Sequence, residues 1–172
     1  MSPPEFTLRF EQLLTETEGQ AVRMAEGMVK SFYGFSALPR RDDTGTMRHG
    51  HGRPIERRPI SLVQADRHLR EEMVATRHAL HARVFTLMAK RSIPVHKLAA
   101  LYAIADIIDV EKVRDWHALW RSMELGEWNK VVRELLRCDI DRVFGATERA
   151  KDMFADLVMV MVSDTAPEEM AS

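Results

Sequence analysis

Several things are scarce in this chain of 172 residues, and each scarcity excludes something. One cysteine, Cys138, leaves no internal disulfide to form, so the sequence reads as that of a protein folded in a reducing cytoplasm. The start, Met1-Ser2-Pro3-Pro4-Glu5, has neither the basic residues nor the apolar core of a secretory signal. The longest apolar run, near Leu157 to Val162, falls far short of the roughly 20 residues that span a bilayer, which implies a soluble protein without a membrane span. Net charge is −1, so nothing global calls for nucleic acid. Internal repeats and low-complexity segments are missing too. What remains is 45% hydrophobic and 30% charged, the usage of an ordinary globular chain long enough to bury a core.

Hydrophobic spacing then sets out the elements. Phe6, Phe10, Leu13 and Leu14 alternate with Glu11, Glu16 and Glu18 at helical intervals, which predicts a first helix over 5–18 with Gly19 as its left-handed cap. Residues 20–33 suit either a second helix, through Val22, Ala25, Val29 and Phe32, or a strand, through Phe32, Tyr33 and Phe35. From 36 to 59 the chain is rich in proline, glycine and arginine and reads as loop or short hairpin. Ser61 followed by Gln64 is a capping box, so a helix opens at 61 or 62. Leu69, Met73, Thr76, Leu80, Val84 and Leu87 carry it to about Lys90, long enough to bridge two lobes. Pro94 starts another helix whose segment Leu98 to Ala105 is apolar almost all round and should be a buried centre. Amphipathic segments follow at Val110 to Met123, Glu127 to Arg137 and Thr147 to Val162, the last capped by Thr147, and the polar residues 163–172 read as a flexible tail.

Among side chains with chemistry, His49 and His51 have alternate spacing that suits a metal only if further ligands converge, and none is evident; they read as exposed loop histidines. No metal or other cofactor is expected. Trp116, Trp120 and Trp128 sit at helical spacing and read as core. Arg40, Arg41, Arg48, Arg53, Arg57 and Arg58 outnumber Asp42, Asp43 and Glu56 in one short stretch. Such a basic loop suits an anionic partner, and the lack of interleaved aromatics argues against nucleic acid.

The stretch Asp42 to Arg53 sets Gly45, Gly50 and Gly52 at fixed offsets after an acidic residue, and Ile60-Ser61 with Gln64-Ala65 opens the long helix behind it. With Glu18-Gly19 before and the buried Ala100-Leu101 helix, Gly126-Glu127-Trp128 and Glu148 to Lys151 after, the order resembles the phage-type lysozymes, glycoside hydrolase family 24. The pattern of that family is a Glu-Gly after the first helix, an Asp, a Gly three residues on, a Thr, and two glycines two residues apart. The resemblance implies a mainly α, α+β architecture, with a hairpin lobe at about 19–59 joined by a long helix to a helical lobe at about 60–162, within one lysozyme-like domain over 1–162.

It also implies hydrolysis of the β-1,4 link between N-acetylmuramic acid and N-acetylglucosamine in peptidoglycan, or of another anionic glycan. Glu18 or Glu26 would be the acid, since Glu26-Gly27 is a second match, and Leu13-Leu14 favour Glu18. Asp42 would be the carboxylate partner, and Arg48, Gly52 and Arg53 would meet substrate. A chain lacking a secretory signal would reach the wall only if another agent released it. Three departures stand out: Arg48 holds the position of the threonine, Arg53 follows where a histidine is usual, and 23 residues separate Glu18 from Asp42, as though the chain carried an insertion. Ala103 and Ile107 stand where polar side chains usually face the cleft. An arginine beside the carboxylates favours their ionised forms and opposes general-acid work. The alternative is therefore a degenerate module that binds peptidoglycan or a protein partner.

Overall fold

A computed structural model describes residues 3–41, 47–54, 60–138 and 148–164 of the chain. Helix α1 spans Pro3–Tyr33 without a break. The expected stop at Gly19 does not occur, because buried positions continue past it: Leu14, Glu18, Ala21, Val22, Ala25, Met28 and Val29 keep the helical period and all lie in the interior. A glycine inside a helix costs only about 1 kcal/mol against alanine, less than burying that continuous stripe returns. The cap comes at Gly34, whose φ of 65° is left-handed and whose N–H closes on the Lys30 carbonyl at 2.8 Å. The open choice over residues 20–33 thus resolves as helix.

Three short antiparallel strands follow: β1 at Ser36–Arg41, β2 at Met47–Gly50 and β3 at Arg53–Pro54, in the order β1-β2-β3. Arg40 pairs with Arg48 and Arg41 with Met47, Ser36 lies opposite Gly50 after an irregularity, and His49 pairs with Arg53. The strands fall within the stretch 36–59 that reads as loop or short hairpin, and two residues, Gly34 and Phe35, separate β1 from α1.

Helix α2, Leu62–Lys90, starts where the capping box places it: the Gln64 N–H donates to the Ser61 hydroxyl at 3.2 Å, and the Ser61 N–H donates to the Gln64 side chain at 3.0 Å. Twenty-nine residues make it about 43 Å long. Its buried residues Ala65, Leu69, Met73, Thr76, Leu80, Val84 and Leu87 form one stripe. Helix α3, Val95–Ile108, is buried along most of its length and packs between α1 and α2. Ala103 and Ile107, expected at the cleft, are core residues at 0% and 5% exposure.

The segment expected as one helix from 110 is two, α4 at Val110–Asp115 and α5 at His117–Leu125. The break lies at Trp116, whose ψ of 78° leaves the helical range. The indole N–H of buried Trp120 reaches back to the Val113 carbonyl at 2.8 Å and satisfies a group at the end of α4. Helix α6, Trp128–Leu136, and helix α7, Glu148–Met159, complete the bundle. Of the three tryptophans Trp120 is core, while Trp116 and Trp128 are only partly buried against it. Trp128 instead carries the Lys97 ammonium 4.5 Å above its ring. Thr147 and residues 165–172 lie outside the described residues. Among the described residues no helix is long and apolar enough to cross a membrane.

Ser61→Ala removes one half of the reciprocal cap on α2. Stability should fall by about 1 kcal/mol, seen as a lower urea midpoint with an unchanged slope.

Candidate functional site

The sheet meets the helices at a joint built from five side chains and two glycines. Asp66, in the second turn of α2, accepts from Lys30 of α1 at 2.7 Å and contacts His51 Nε2 at 3.0 Å. His51 turns its other ring nitrogen, Nδ1, to the Gly34 carbonyl at 2.9 Å. One carboxylate thus ties the last turn of α1, the start of α2 and the turn after β2 together. Hydrogen bonding to Lys30, reinforced by His51 and opposed by partial burial, holds the Asp66 carboxyl below the usual range.

His51 was expected as an exposed loop residue, and this is a correction: it is 3% exposed, and His49 is 8% exposed. His51 bridges two elements and its ring lies 5.8 Å from that of Phe35. Among the described residues no group of three or more potential ligands comes together to hold a metal ion.

Gly52 lies directly against the ring of Tyr33. Its φ is 83°, and a Cβ added there would run into that ring. Tyr33 is half-buried, packs edge-to-face on Phe32 at 4.9 Å, and its carbonyl accepts from Arg40 at 3.2 Å. Arg48, also partly buried, donates to the Gly52 carbonyl at 2.8 Å. Tyr33, Arg48 and Gly52 therefore line one spot where α1 hands over to the sheet.

The two glutamates singled out in the sequence sit elsewhere. Glu18 is 0% exposed, inside the helical body. Tyr102 of α3 donates its hydroxyl to one carboxylate oxygen at 2.7 Å. His81 Nδ1 of α2 meets the other at 3.0 Å, and the Arg77 guanidinium stands 3.5 Å away. Burial, with the neighbouring Glu18 carboxylate, pushes the Tyr102 phenol far up, so it remains a donor. Glu26 is 12% exposed in its side chain, with Arg70 at 3.8 Å. Burial raises its pKa despite the lowering influence of Arg70 and Lys30, with Asp66 adding to the rise.

By the rise of an α-helix, Glu26 stands about 10 Å and Glu18 about 22 Å before the end of α1. Of the sequence candidates, the fold brings Arg48 and Gly52 together, sets Glu26 two turns away, and leaves Glu18 apart. Asp42 lies outside the described residues; Arg53 is described by its backbone, opposite His49.

Sequence reading missed Asp66, Lys30 and Tyr33. The signal for Asp66 was present: five residues after the Ser61 cap, it must lie near the start of α2, beside whatever packs there. Tyr33 had a signal as well, in the Tyr33-Gly34 step followed by residues of strand character. Of the 23 residues between Glu18 and Asp42, those up to Tyr33 continue α1, and from Gly34 the chain passes into β1.

Gly52→Ala should cost about 1–3 kcal/mol, because φ is left-handed and the ring of Tyr33 fills the space a methyl would need; the melting temperature reports it. For Asp66 the folded pKa is depressed, so its stabilisation is complete above the unfolded value and is lost as pH falls through the folded one. The stability difference between wild type and Asp66→Asn should be constant above about pH 5 and should shrink below about pH 4, in urea titrations at each pH.

No protein-family model matches the chain, and no curated protein matches it in sequence. Solved structures do. An endolysin from Escherichia coli O157:H7 phage FAHEc1 superposes with a TM-score of 0.66 at 15% identity, over 85% of this chain and 95% of the endolysin. The muramidase domain of SpmX from Asticaccaulis excentricus gives a TM-score of 0.56 at 17% identity, over 81% of this chain and 95% of that domain. The fold is phage-type lysozyme-like, mainly helical with a small antiparallel sheet at the start of the long helix.

Proposed function

We propose that the chain acts on peptidoglycan as a lysozyme-like, muramidase-type protein, its target the glycan strand with β-1,4 links between N-acetylmuramic acid and N-acetylglucosamine. The observation that carries this reading is the fold, which superposes on an endolysin and on a muramidase domain.

Cleavage of that link asks for two carboxyl groups flanking the bond, one protonated to serve the leaving oxygen and one ionised. Glu26 is the better acid of the two glutamates. It keeps some exposure and its pKa is raised by burial, whereas Glu18 has no exposed surface and both of its oxygens are engaged inside the body. Asp42 would be the ionised partner, and Arg48, Gly52 and Arg53 would meet the sugar. A raised pKa keeps Glu26 protonated to higher pH, so activity resting on it would fall as pH rises through that value.

A second reading, retention of the glycan without cleavage, is favoured by a specific observation. Arg48 stands where the resembled pattern has a threonine, and it donates to the Gly52 carbonyl at 2.8 Å.

Turbidity of a peptidoglycan suspension separates the two. Hydrolysis gives clearing that is strongest at acid pH and drops at least a hundredfold in Glu26→Gln. A stable suspension from pH 5 to 8, with the protein sedimenting alongside the solid, is the outcome for retention. Protein that neither clears nor sediments would reject peptidoglycan as the target.

A further inference from the structure

Five large apolar side chains are exposed at the sheet end of the molecule: Phe35 just before β1, Leu38 in β1, Met47 in β2, and Leu62 and Val63 in the first turn of α2. We infer that this end docks on the surface of an anionic lipid bilayer, its apolar side chains entering the headgroup layer and its arginines facing the lipid charges.

Charge selects the kind of partner. Residues 35–63 carry six arginines against Asp42, Asp43 and Glu56, a net charge of +3; since the whole chain carries −1, the remainder carries −4. The count takes in every acid of the stretch. A hydrogen bond such as that from Arg40 to the Tyr33 carbonyl leaves the charge of the arginine in place. A molecule polarised in this way turns its basic end toward a negative surface. Two copies meeting through this end would bring like charges together, which opposes self-association.

Position makes the apolar side chains one surface. The Phe35 ring lies 5.8 Å from that of His51, and His51 meets Asp66 of α2 at 3.0 Å. Leu62 stands one turn before Asp66 on the same face of α2, with Val63 next to it. Leu38 and Met47 continue the band along the two strands that pair Ser36 with Gly50 and Arg41 with Met47. Val63, 78% exposed, and Leu38, 63% exposed, are the two most exposed large apolar residues among those described. Of the five only Phe35 could stack on a base, so a nucleic acid would leave the others in water. A bilayer covers them, while the arginine stems lie along the apolar layer and their heads reach the phosphates. Docking of this kind needs no spanning helix.

The test is sedimentation of the full chain with vesicles of phosphatidylcholine alone, and with vesicles of an equal mixture of phosphatidylcholine and phosphatidylglycerol. Wild type should bind the mixed vesicles about tenfold or more tighter than the neutral ones, and should lose affinity as salt rises. Leu38→Gln combined with Val63→Gln should weaken binding about tenfold, and Arg41→Gln about fivefold. Leu125→Gln combined with Leu136→Gln, exposed positions at the α5–α6 end, should leave it unchanged. All these side chains are on the surface, melting curves verify that the variants fold, and the comparison of the two vesicle types needs wild type alone. Wild type that binds neither vesicle, or both alike, would overturn the inference. So would an equal loss in the Leu125 and Leu136 double variant. Full binding by the Leu38 and Val63 double variant would overturn it too, leaving a purely electrostatic surface suited to an acidic protein.

Discussion

The Asp66 carboxylate is the point on which the arrangement of this protein depends. It takes the Lys30 ammonium from α1 and the His51 ring from the sheet, and His51 in turn holds the Gly34 carbonyl at the cap of α1. A three-stranded sheet of twelve residues, six in β1, four in β2 and two in β3, has little apolar surface of its own to bury. Its position relative to the helices is set by this carboxylate bridge and by the contact of Gly52 with the ring of Tyr33. Both act at the same place, the step from α1 to β1.

A second polar cluster performs the corresponding task inside the helical body. Glu18 of α1 joins Tyr102 of α3 and His81 and Arg77 of α2. A fully buried carboxylate is tolerable only when it is hydrogen-bonded and balanced by charge, and this one is both. The cluster explains why a glutamate near Gly19 looks like a functional residue in the sequence while serving to cross-link three helices. It also bears on the chemistry. Both oxygens of the Glu18 carboxylate are engaged in packing, while Glu26, two turns before the end of α1, keeps some exposure. A shared fold and a shared reaction therefore have to be argued from different residues.

Much of the fold was legible. The capping box at Ser61 and Gln64, the long stripe from Leu69 to Leu87, the apolar helix after Pro94 and the hairpin between 36 and 54 each follow from local physics that nothing in the tertiary structure overrides. The failure came at Gly19. A glycine after a glutamate reads as a helix stop, yet the stripe of Ala21, Ala25, Met28 and Val29 against α3 outweighs that local preference. Ending the first helix 15 residues early left the residues up to Tyr33 without a settled place in the reading. The histidines failed for a related reason, since alternate spacing in a hairpin says nothing of which side a neighbouring helix will cover. Arg48 and Gly52 were legible because the glycine turn fixes their relation within a few residues.

Action on peptidoglycan is the central claim, and amide chemical shifts read it most directly. A soluble peptidoglycan fragment containing an internal β-1,4 link, titrated into nitrogen-15-labelled protein, should shift the amides of Gly34, Gly50 and Gly52 beside the hairpin, whether it is then recovered cleaved or intact. Shifts confined to the α5–α6 end of the molecule, or no shift at all, would contradict the account.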